Sequence, residues 1–112
     1  MKVIQREVTV TDHPVVACSL DGPALSGRQR ELRLGVLSQA SSVERLSNGY
    51  RWRFDAAPEL LARLGPVLDA ERRCCRFLRM SIDAEPDLGA VVLEITGPEG
   101  TTDFLDDWVG GP

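Results

Sequence analysis

A chain of 112 residues, 43% hydrophobic and 27% charged, can bury one modest core and reads as a single domain over 1–112. No run approaches the ~18 apolar residues of a membrane span, and the alternating opening MKVIQREVTVTD lacks the apolar core of a secretory signal. A formal net charge of −4 argues against nucleic acid or anionic lipid as non-specific partners, while three cysteines, an odd number, exclude a complete disulfide framework. The expected setting is therefore a reducing cytoplasm with free thiols.

Residues 2–10 alternate in polarity and predict a strand, and the short apolar run VVACSL at 15–20 predicts another, buried one. Leu25, Gln29, Leu32 and Val36 recur at helical spacing over 23–39, behind Asp21 and Pro23. A hairpin is expected over 42–55, with Asn48-Gly49 as a type I′ turn. Beyond it Tyr50, Trp52 and Phe54 fall on one face, Arg51 and Arg53 on the other. That alternation reads as aromatics covering a core rather than as an RNA-stacking sheet.

The clearest helix spans 58–75, with Leu60, Leu61, Leu64, Val67, Leu68 and the Cys74-Cys75 pair forming an apolar stripe; Pro66 should kink or break it. Residues 77–83 and 90–96 alternate again around the turn sequence Pro86-Asp87-Leu88-Gly89. Thr101 or Thr102 is placed to cap a last short helix reaching about Val109. The order β-α-β-β-α-β-β-α predicts an α+β fold: an antiparallel sheet with helices on one face, ferredoxin-like or a variant of it.

The segment Glu71-Arg72-Arg73-Cys74-Cys75-Arg76-Phe77-Leu78-Arg79 carries the chemical signal. Adjacent Cα atoms lie only about 3.8 Å apart, below the usual span of a disulfide, so the pair reads as two thiols rather than one bond. Glu71 falls on the apolar stripe, where a carboxylate is costly unless paired, and it is positioned to orient or deprotonate a thiol. Arg72, Arg73, Arg76 and Arg79 outnumber that one acid and would favour thiolate; the helix C-terminus and Glu71 itself oppose them. The arginines prevail only within about 6 Å; otherwise the thiols stay protonated until a metal displaces the proton.

Cys18 supplies a third sulfur. In a ferredoxin-like layout the first strand neighbours the strand that follows the second helix, which would bring Cys18 to the pair. Three sulfurs suit trigonal binding of a soft ion such as Hg(II), Cu(I) or As(III) better than a tetrahedral zinc site. Against this stands the use of cysteine as a small buried hydrophobe. His13, the only histidine, precedes Pro14 and reads as an exposed loop residue.

Glu-Arg-x-Cys-Cys-x-Phe-Leu at Glu71–Leu78, followed by Leu-Glu-Ile-x-Gly-Pro-Glu-Gly at Leu93–Gly100, resembles a small bacterial family sometimes found at heavy-metal resistance loci. Cys18-Ser19-Leu20, Arg30 and Gly49-Tyr50 extend the resemblance over most of the chain. It implies that Cys18, Cys74, Cys75 and Glu71 belong to one pattern with a role toward metals. Members usually have Pro after the cysteine pair, where this chain has Arg76.

Three functions follow as expectations. The first is binding of a soft metal or metalloid ion through Cys18, Cys74 and Cys75, for sequestration, delivery or sensing, with Glu71, Arg72, Arg73 and Arg76 around them. The second is a thiol enzyme acting on a sulfur, arsenic or organometal substrate, with Cys74 or Cys75 as nucleophile and Glu71 as base. The third is a binding or assembly module without chemistry, in which the sheet or the kinked helix docks a partner and exposed sheet edges favour a homodimer.

Overall fold

The computed structural model describes residues 23–109. The strands expected over 2–10 and 15–20, together with His13 and Cys18, lie outside the described residues. Helix α1 (Pro23–Leu37) leads into strands β1 (Ser42–Leu46) and β2 (Gly49–Phe54), then helix α2 (Leu60–Cys74). Strands β3 (Arg79–Ala84) and β4 (Val91–Thr96), helix α3 (Thr101–Leu105) and a 3-10 turn at Asp106–Val109 complete the order. The fold is α+β: four antiparallel strands in the order β1-β2-β4-β3, with helices packed on the sheet.

β2 and β3 both run antiparallel to β4, so they are parallel to each other and α2 is the crossover between them. The gap they leave is filled by β4, the slot a ferredoxin-like sheet gives to its first strand. β4 thus occupies the slot through which a ferredoxin-like layout was expected to bring Cys18 to the pair; Cys18 itself lies outside the described residues.

Period-2 alternation sets the two sheet faces. Tyr50, Ile95 and Met80 line up across the sheet, as do Trp52, Leu93 and Ile82, and Phe54, Val91 and Ala84. Trp52, Phe54, Leu93 and Ile95 are sealed under the helices, whereas Ile82 on the β3 edge remains 42% exposed. The opposite face carries Arg51, held by Glu44 at 2.6 Å and by Glu94 at 2.7 Å.

The helices follow their apolar spacing, with local exceptions. α2 buries Leu60, Leu64, Val67, Leu68, Glu71 and Cys74, while Leu61 turns outward. Pro66 sits inside α2 without ending it: exposed Pro66 gives up one hydrogen bond, and the buried residues on either side keep the helix packed. α1 is rotated from the expected face, with Val36 and Leu37 buried and Leu32 exposed, because its packing partners are α2 and the 3-10 turn.

Two turns also depart from expectation. Leu46 pairs with Gly49, so Ser47 and Asn48 are the central residues of the first hairpin, and neither has positive φ, which excludes type I′. Gly49 is required instead by contact: a Cβ there would lie 1.9 Å from the Ile95 carbonyl oxygen. The positive-φ pair is in the other hairpin, at Asp87 and Leu88, closed by Gly89 N–H donating to the Pro86 carbonyl. At α3 the N-cap is Gly100, not a threonine. Thr101 and Thr102 lie inside the helix, and the Thr102 hydroxyl donates to the Leu46 carbonyl at 2.8 Å, fastening α3 to the end of β1.

Candidate functional site

The α2 stripe delivers Glu71 to the interior one turn before the helix ends, and the carboxylate is 1% exposed. Its partner comes from α1: Arg33 Nη1 donates to Glu71 Oε2 at 2.8 Å. The Arg33 guanidinium in turn lies 4.5 Å from the centroid of the Trp108 ring, in the 3-10 turn, so the cation is held between a carboxylate and an aromatic face. Among the described residues the buried Nε of Arg33 has no hydrogen-bond partner.

Cys75 ends α2, and its backbone N–H donates to the Glu71 carbonyl at 2.6 Å. Its carbonyl accepts from Leu78 N–H, forming the turn that sends the chain into β3. The side chain is buried in the core and free, whereas Cys74 is disulfide-bonded. The pair is thus not the two free thiols expected. Burial first, and then the Glu71 charge, push the Cys75 thiol up to about 11, against a smaller opposing pull from Arg33.

The arginines singled out by their neighbourhood in sequence are elsewhere. Arg72, Arg73 and Arg76 are exposed; Arg73 pairs with Asp69 at 3.2 Å, and all three line an open recess with Asp69 and Leu78. A helix end has an inside and an outside, and these three are outside it. The arginine that acts on Cys75 is Arg33, which the sequence reading missed. Its signal was present: Arg33 stands three and four residues before the buried Val36 and Leu37. Trp108 was missed as well, because nothing local links it to residue 33.

Phe77, two residues beyond Cys75, is buried edge-on to Phe104 with centroids 5.1 Å apart, and Phe104 continues the aromatic contact to Trp108. Among the described residues no three His, Cys, Asp or Glu side chains gather as a metal site, so any trigonal sulfur site needs Cys18. Nor is any described helix long and apolar enough to cross a membrane. Fold and site together define a small α+β protein with an acid, a guanidinium and a thiol enclosed at one helix end. No protein-family model, curated protein or solved structure matches the chain.

Proposed function

We propose that the chain binds a soft, thiophilic metal or metalloid ion, of the type of Hg(II), Cu(I) or As(III), at the end of α2. Cys75 and Cys74 are the donors there and Cys18 is the third. The observation that carries this reading is the enclosed Glu71–Arg33 pair beside the free Cys75 thiol. A buried ion pair is weak support for stability, because apolar residues of the same volume usually do as well, so its placement against a thiol calls for a chemical reason. Glu71 disfavours a bare Cys75 thiolate but favours a thiolate that has just taken up a cation, since the arriving charge reverses the sign of that interaction.

The same electrostatics weigh against Cys75 as the nucleophile of a thiol enzyme. With the thiol near 11, only about one molecule in ten thousand carries the thiolate at pH 7, and a nucleophile needs that form free. Ion binding has no such requirement, because the metal displaces the proton. The binding form is the reduced protein, with the Cys74 bond opened, and the cytoplasm expected from the sequence would keep it reduced.

Titration of the fully reduced protein with Hg(II), followed by ultraviolet charge-transfer absorbance, tests it. The expected result is a saturable band that Cys75→Ser weakens and Cys74→Ser/Cys75→Ser abolishes. No band, or a band unchanged in the double variant, would leave Cys75 as a core residue and overturn the proposal.

A further inference from the structure

β3 is an edge of the described sheet, and its first five residues, Arg79-Met80-Ser81-Ile82-Asp83, are complementary to themselves when reversed. A twofold axis through Ser81 sets Arg79 opposite Asp83 of a second chain, Asp83 opposite its Arg79, and Met80 opposite its Ile82. Residues directly opposite in an antiparallel pair share a face. The charged pairs then lie on the solvent face beside Glu94, and the Met80–Ile82 contacts extend the apolar face that continues through Ile95 and Leu93. A shift of one residue places apolar against polar throughout and loses both sets of contacts.

We propose that a second copy of this chain docks on β3, joining the eight described strands of the two copies into one antiparallel sheet. Three features of the edge favour that occupant. Arg79 and Asp83 are both exposed and take part in no ion pair among the described residues, which leaves both charges available to a second chain. Ile82 is 42% exposed on the face that is otherwise under helices. Beside it an open groove between α2 and β3, lined by Leu68, Leu78, Met80 and Ile82 and rimmed by Asp69 and Arg72, includes apolar surface that a neighbouring Met80 and Ile82 would help cover. The other edge lacks this property: a twofold axis through the centre of β1 would oppose Glu44 to itself and Val43 to Arg45.

The whole chain, kept reduced, is examined by sedimentation equilibrium over a wide concentration range. The expected mass at high concentration is twice 12.3 kDa. Arg79→Asp and Asp83→Arg each create two like-charge contacts in the dimer and should weaken it about tenfold or more; the swap Arg79→Asp/Asp83→Arg should restore it. Both positions are exposed, and far-ultraviolet circular dichroism checks that each variant is folded. Ser81→Cys provides an independent measurement. On the axis its Cα atoms lie about 4.5–5.5 Å apart, within disulfide reach, so mild oxidation should cross-link this variant well beyond the wild type. A monomer at every concentration, a dimer indifferent to both charge reversals, or Ser81→Cys cross-linking no more than wild type would overturn the proposal.

Discussion

Removing one member of the buried ion pair tests the energetic reading of the site directly. Arg33→Met keeps the length and most of the volume of the side chain but leaves the Glu71 carboxylate, 1% exposed, without its 2.8 Å partner. Breaking a buried pair from one side costs about 3–5 kcal/mol, and that figure absorbs the lost contact with the Trp108 ring. Against a total stability of roughly 5–15 kcal/mol for a domain of this kind, it is a large fraction, equivalent to a fall in Tm of roughly 12 °C or more. Urea unfolding under reducing conditions, read through the buried Trp52 and Trp108, measures it. The double variant Arg33→Met/Glu71→Leu removes the stranded charge as well and should recover to within about 1 kcal/mol of wild type or exceed it. A loss below about 1 kcal/mol in the single variant, or a double variant no more stable than the single, would refute the claim that these charges are sealed against each other.

Other predictions concern separate parts of the molecule. Because the Cys75 thiol is raised from 9.0 to about 11, the folded state holds its proton more tightly; stability is full below pH 9 and falls by up to about 3 kcal/mol as pH rises to 11. Cys75→Ala should flatten that slope in urea titrations, leaving a residual fall above about pH 10 from Tyr50, which desolvation and Asp106 also raise; an unchanged slope would count against it. Leu88→Gly should stabilise by about 0.5–1 kcal/mol, seen as a higher urea midpoint, since Leu88 is 90% exposed at φ 57° and loses no packing. Gly49→Ala should destabilise by about 2–4 kcal/mol, because its Cβ meets the Ile95 backbone rather than a movable side chain; a variant as stable as wild type would contradict the close approach of β2 to β4.

What the sequence conveyed follows from where each signal resides. The α2 stripe and the β2 alternation are local periodicities, and so Glu71 could be placed inside and Tyr50, Trp52 and Phe54 on one face before any coordinates. Arg33 was harder to single out for the opposite reason. Its role depends on how α1 rotates against α2 and the 3-10 turn, and Leu25 and Leu32 suggested a different face. The charges of Arg72, Arg73 and Arg76 were legible but misleading, because proximity along the chain says nothing about which side of a helix end a side chain occupies. At Asn48-Gly49 a familiar turn dipeptide was present, yet the glycine answers to β4, more than forty residues later.

The central place of β4 has a consequence for how the chain is made. β2 and β3 emerge from the ribosome before the strand that must lie between them, so neither can complete its hydrogen bonds by pairing with the other. Among the described strands, the β1–β2 hairpin alone can pair early, while the rest of the sheet waits for Val91–Thr96. Long-range closure of this kind is slow and leaves strand edges open to other chains. Trp108, which follows β4 in the chain, brings its ring to Arg33 later still. A nascent chain stalled before residue 91 would therefore hold its cysteine pair under a half-built sheet, open to any reagent the finished protein shuts out.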